Sequence, residues 1–151
     1  MTSASFQNQQ DRQTSTIETK PRILIVDDNV ELLEELKDML GMSGYEVSTL
    51  NEGHKALDAA LKNKPDLILL DLKMSPKSGF QIADEITNSV PLKDVPIVAM
   101  TGFFTEKQHL LMMKLCGIKT SILKPFWPVN LISKIEFALG NRMKENDAEG
   151  T

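Results

Sequence analysis

Two stretches, Arg22-Ile-Leu-Ile-Val-Asp-Asp-Asn29 and Asp66-Leu-Ile-Leu-Leu-Asp71, decide the fold. Each is a continuous apolar run that ends in a carboxylate. Alternating apolar and polar residues mark a strand with one wet face, whereas an unbroken run marks a strand covered on both faces, as in a parallel sheet between helices. The intervening sequence fits this reading. After Asp28-Asn29, either of which can cap a helix, Leu32, Leu33, Leu36, Met39 and Leu40 recur at helical spacing until Gly41 and Gly44. Tyr45 to Leu50 reads as a strand. Gly53 to Lys62 reads as a short helix with Ala56, Leu57, Ala60 and Leu61 facing inward, stopped by Asn63-Lys-Pro65.

Working outward toward the carboxyl end, the alternation continues. A loop with Pro76 and Gly79 leads to a helix with Ile82, Ala83 and Ile86 on one face. Val95 to Thr101 is a fourth strand, with Pro96 tolerable at its start. A less regular helix follows over about Thr105 to Cys116, then a fifth strand over Ser121 to Leu123. Pro128 opens a last helix that turns Leu131, Ile132, Ile135, Ala138 and Leu139 inward. Strands and helices in strict alternation predict one α/β domain built on a parallel five-stranded sheet. We place it at residues 21–140, behind a Gln/Ser/Thr-rich disordered leader at 1–20 and ahead of a polar C-terminal tail at 141–151.

Composition bounds the function. At 151 residues the chain has room for one domain, at about 100–200 residues each. There are 17 basic and 21 acidic residues, a net charge of −4, and no Lys/Arg stripe, so nonspecific nucleic-acid binding is not expected. One cysteine, Cys116, cannot form an internal disulfide, and the leader lacks the basic start and apolar stretch of a secretory signal, so a cytoplasmic location is expected. The apolar runs are far shorter than the roughly 20 residues of a membrane span, so no membrane partner is expected.

The strand ends carry the chemistry. Asp27-Asp28, Asp71, Thr101 and Lys124 stand at or just past the carboxyl ends of strands one, three, four and five, the edge at which open α/β sheets bind ligands. Three carboxylates brought together repel one another; a divalent cation, a shared proton or a basic partner relieves this. Each residue has a plainer role in isolation: Asp28 a helix cap, Thr101 a turn residue, Lys124 a solvated loop charge. Asp71 is harder to explain so, because a carboxylate ending a buried strand needs a partner or a task.

Together, the acidic pair, the aspartate ending strand three with Met74 and Gly79 behind it, Thr101, and Lys124-Pro125-Phe126 resemble a receiver domain of two-component response regulators over about Arg22 to Gly140. The resemblance implies a three-layer, flavodoxin-like (βα)5 fold with sheet order 2-1-3-4-5. It implies a self-phosphorylating switch rather than an enzyme with a separate substrate. Asp71 would be the phosphoacceptor, taking a phosphoryl group from a sensor histidine kinase or phosphotransfer protein. Mg²⁺ would be held by Asp28, Asp71 and the backbone carbonyl of Lys73, with Asp27 binding through water. Lys124 would pair with a phosphoryl oxygen, and Thr101 would move to hydrogen-bond it.

Several positions depart from the pattern. Met74-Ser75-Pro76 puts the proline one residue late, Gly102 replaces an alanine, and Ser121 stands where the switch aromatic usually lies. Lys73 and Phe103 occupy the positions that tune phosphate lifetime, and neither offers a group to position an attacking water, which implies a comparatively long-lived aspartyl phosphate. Output is expected through contacts with a downstream protein, with homodimerisation on phosphorylation as an option. The competing readings are a receiver excised from a hybrid kinase or multidomain regulator, and a degenerate receiver that only binds. A phosphatase with an Asp-x-Asp nucleophile fits poorly, as does an FMN site, whose phosphate the two acids of Val26-Asp-Asp-Asn-Val30 would repel.

Of the remaining residues, His54 and His109 have no ligand partners at metal spacing. Cys116, Met112 and Met113 are expected to pack. Phe103, Phe104 and Trp127 fall near the switch face, where packing is favoured over an anchoring role.

Overall fold

The computed structural model describes residues 19–102 and 107–149. Five parallel strands form one sheet: β1 (Arg22–Val26), β2 (Glu46–Leu50), β3 (Leu67–Asp71), β4 (Ile97–Thr101) and β5 (Thr120–Leu123). Their order is β2-β1-β3-β4-β5. Five helices join them: α1 (Val30–Met42), α2 (Ala56–Asn63), α3 (Gly79–Thr87), α4 (Lys107–Leu115) and α5 (Pro128–Glu149).

The continuous apolar strands have a simple cause. Successive side chains of a strand point to opposite faces, and both faces of β1 and β3 are dry. Leu24, Val26, Ile68 and Leu70 pack with Ala56, Ile82, Ala83 and Ile86 on one side. Ile23, Ile25, Leu67 and Leu69 pack with Leu33, Leu36, Leu40, Leu131 and Ile135 on the other. Helices α1 and α5 therefore cover one face and α2 to α4 the other. Burying each such side chain stabilises the fold by about 1.5–3 kcal/mol.

Helix ends follow local chemistry. The Asn29 side chain accepts from the Leu32 N–H and caps α1, so Asn29, not Asp28, fills that role. Ser78 and Gln81 form a reciprocal capping box at the start of α3, a Ser-x-x-Gln signal present in the sequence. Lys64, in the left-handed conformation, closes α2.

Some boundaries differ from expectation. The helix expected at Gly53 opens with a 3-10 turn over Gly53–Lys55, and Leu61, expected inside, is exposed. Only Ala56 and Ala60 of that stripe are buried, and Leu57 packs partly buried against the same core. β4 begins at Ile97 rather than Val95; Pro96 has no N–H for the ladder, but its carbonyl accepts from Ile68. On α4 Met113 is buried as expected, whereas Met112 is exposed. Cys116 packs at the edge of the core. α5 passes Gly140 and runs through the polar segment to Glu149; that stretch has no proline, and one interior glycine costs only about 1 kcal/mol.

Gly79 is where the fold meets the site. Its N–H donates to the Leu72 carbonyl at 3.1 Å, and a Cβ there would lie 2.3 Å from the Asp71 carbonyl oxygen and 2.5 Å from Leu72 Cα. Backbone on both sides cannot yield cheaply. Gly41, inside α1, has open space around its missing Cβ. Gly79→Ala should therefore lower stability by about 2–3 kcal/mol in urea unfolding. Gly41→Ala should raise it by about 0.5–1 kcal/mol. Equal effects of the two would contradict the close approach.

Candidate phosphoacceptor site

Strand register assembles the site. Val26 pairs with Leu70, so Asp27, the next residue after β1, lies beside Asp71. Asp71 pairs with Met100, and Thr101 with Leu123, which places Thr101 and Lys124 one step further along the same edge. The Lys124 N–H donates to the Thr101 carbonyl at 2.7 Å, tying the loop after β5 to β4.

The side chains then converge. Carboxylate oxygens of Asp27, Asp28 and Asp71 all lie within 4.8 Å of one another. Asp27 and Asp71 are buried, and Asp28 is exposed at the mouth. Lys124 Nζ lies 2.5 Å from Asp27 Oδ2 and 3.7 Å from Asp71 Oδ1, so one ammonium neutralises part of the charge of two acids. The Asn29 N–H donates to Asp27 Oδ1 at 2.9 Å, and the Lys73 N–H to Asp71 Oδ1 at 3.2 Å. Thr101 is buried beside them, and Ser121 is half-buried on β5. The Lys73 side chain is exposed, and Phe103 lies outside the described residues. Hard oxygens from three acids in so small a volume fit Mg²⁺, which prefers carboxylates and retained waters.

Three contributors were not read from sequence as site residues. Asn29 orients Asp27, Gly79 lets α3 approach Asp71, and the capping box fixes where α3 begins.

The model of the response regulator receiver domain matches residues 23–136. The chain belongs to that family. It is 30% identical over 119 residues to the polar-differentiation response regulator DivK of Brucella anthropi, covering 79% of this chain and 96% of that protein. It is 32% identical over 123 residues to the probable transcriptional regulator ycf27 of Guillardia theta, covering 82% of this chain but 47% of that one. The chain thus spans about half the length of several curated relatives it matches. Among solved structures, Vibrio cholerae CheY4 superposes with a TM-score of 0.76 at 28% identity, covering 80% of this chain and 99% of that one. The receiver domain of a Pseudomonas aeruginosa sensor histidine kinase, with magnesium coordinated in its active-site cleft, gives 0.74 at 25% identity, covering 81% and 99%. The receiver fold read from sequence is therefore the fold of this chain. Among the described residues no helix is long and apolar enough to cross a membrane.

Burial is the main cause that lifts Asp71 from 3.8 to about 6; Asp27 pushes the same way, and Lys124 and the Lys73 N–H oppose it. Between those values the folded receiver holds a proton on Asp71 that the unfolded chain has released. Stability from this group is thus greatest below pH 4 and falls as pH rises toward 6. Asp71→Asn removes that loss. The variant should be more stable than wild type at pH 7, by roughly 1–2 kcal/mol after solvent screening is allowed for, with the gain shrinking to near zero at pH 4. Denaturant unfolding at both pH values measures it.

Proposed function

We propose that this receiver accepts a phosphoryl group on Asp71 from a phosphohistidine of a sensor histidine kinase or phosphotransfer protein. The observation that carries the reading is the Lys124 ammonium set against both Asp27 and Asp71, beside the third acid, Asp28. With its ordinary range exceeded only to about 6, Asp71 is mostly ionised at neutral pH and available as a nucleophile.

An Asp71 oxygen attacks phosphorus, the new O–P bond forms as the N–P bond to histidine breaks, and the imidazole leaves on the partner. The Lys73 N–H donates to Asp71 Oδ1 and helps hold the carboxylate in place. Lys124 supplies positive charge to a phosphoryl oxygen, and transfer of this kind rests on positioning and electrostatics. Asp28, Asp71 and the Lys73 carbonyl would hold Mg²⁺, with Asp27 through water; the ion, when bound, neutralises charge on the transferring group. The magnesium in the Pseudomonas receiver supports that assignment. Thr101 then turns toward the phosphoryl group and biases the neighbouring face between two arrangements, which a downstream protein reads.

Incubation with Mg²⁺ and acetyl phosphate should add one phosphoryl mass to the wild type and none to Asp71→Asn; no adduct on either would leave a receiver that signals only by binding. Removing Mg²⁺ with a chelator should abolish the adduct. For phosphate lifetime, Lys73 and Phe103 are proposed to shield the acyl phosphate. Decay of the isolated adduct should be several-fold faster in Lys73→Ala and Phe103→Ala, and unchanged decay would refute the shielding role.

A further inference from the structure

The loop between β3 and α3 is fastened at both ends and loose in its middle. At its start the Leu72 N–H donates to the Met100 carbonyl and the Lys73 N–H to Asp71 Oδ1. Met74 then sinks its side chain into the core, and at the far end the Gly79 N–H returns to the Leu72 carbonyl. Between these points Ser75 and Pro76 are exposed. Among the described residues the N–H groups of Met74, Ser75 and Lys77 donate no hydrogen bond. This is the stretch in which Pro76 stands one residue later than the family pattern has it.

One side chain spans that gap. Lys77, the residue before the Ser78 cap, reaches along α3, and its ammonium pairs with the Glu85 carboxylate eight residues on. The two side chains are 30% and 38% exposed, so the pair is partly withdrawn from water. Beneath the loop there is no slack. A Cβ on Gly53 would lie 2.7 Å from Ile82 Cδ1 and 3.4 Å from Met74 Cε, so the turn before α2 already packs against the loop's base. The direction left to the loop is away from the core, and the Lys77–Glu85 pair opposes it.

We propose that Lys77 and Glu85 are positioning residues for the metal site: their ion pair holds the loop that carries the Lys73 carbonyl, and so sets how tightly the site takes a divalent cation. This rests on the assignment of Mg²⁺ to Asp28, Asp71 and the Lys73 carbonyl. Both residues act through the loop rather than by touching the ion. Mg²⁺ demands near-ideal octahedral geometry, so a small displacement of one ligand carbonyl is felt in affinity. A partly exposed ion pair adds little to global stability, so the two effects separate. Charge adds an asymmetry. Without Lys77 the loop loses its clasp; without Glu85 it loses the clasp and also keeps an unneutralised ammonium, which repels a dication.

The test is calorimetric titration of the full chain with MgCl2, paired with urea unfolding in its absence. The variants are Lys77→Met, Glu85→Gln, the two combined, and the exchanged pair Lys77→Glu with Glu85→Lys. Lys77→Met should weaken Mg²⁺ binding about three- to tenfold and Glu85→Gln more than that. The combined variant should match Lys77→Met, because the two residues act as one unit. The exchanged pair should bind within about twofold of wild type, and all unfolding midpoints should stay near the wild-type value. Without Mg²⁺, amide exchange at Lys73 and Met74 should be severalfold faster in Lys77→Met. Unchanged affinity in the single variants, losses that add in the combined one, no recovery in the exchanged pair, or an affinity loss matched by a falling unfolding midpoint would each overturn the proposal. A phosphoryl adduct on Asp71 with Mg²⁺ affinity indifferent to the pair refutes the pair's role alone. A wild type that takes up no Mg²⁺ refutes the metal assignment and the pair's role with it.

Discussion

Repulsion among three carboxylates at one strand edge is the constraint around which this receiver is organised. Asp27 and Asp71 follow fully buried strands and are themselves buried, so water screens them poorly. Lys124 arrives from the far side of the sheet to offset that repulsion. Its position depends on β5 pairing with β4 and on the bond from its N–H to Thr101. The charge that makes the fold uncomfortable is the same charge that suits the site to a cation and a phosphoryl group.

Much of the fold was legible in the sequence. The apolar runs of β1 and β3 have to be covered on both faces, and helical spacing supplied the covers. The site was legible because its groups fall at strand ends, where sheet topology alone brings them together. What resisted reading was local: Leu61 and Met112 have the right spacing for the core but lie on short helices whose buried faces are narrower than the stripe. Asn29 and Gly79 were missed as site residues because their parts depend on a backbone N–H and a missing Cβ. Neither leaves a chemical signature in the residue type beyond capping and turn propensity. The last helix continues past the expected domain boundary at residue 140, since a glycine stops a helix only when the following chain also leaves it.

The two faces of the sheet are held differently. α1 and α5 bury rows of leucine and isoleucine against β1, β3 and β4. On the opposite face α2 and α3 contribute mainly small side chains and two isoleucines, and α3 is fastened at both ends. The capping box fixes its start, and the Thr87 hydroxyl at its end donates toward the carbonyls of Ala83 and Cys116. Gly117 (φ +82°) packs against that threonine with no room for a Cβ.

α4 is anchored far more lightly. Met113 is its one buried side chain among the described residues, supplemented by His109 stacked on Phe80 with ring centroids 6.4 Å apart. Local opening free energies follow buried apolar contact, so amide protons of α4 should exchange by a low-cost excursion while those of β1 and β3 wait for global unfolding. The domain thus divides into a stiff frame that holds the acids in register and a loosely moored helix beside β5. Whatever displaces that helix has little binding energy to overcome.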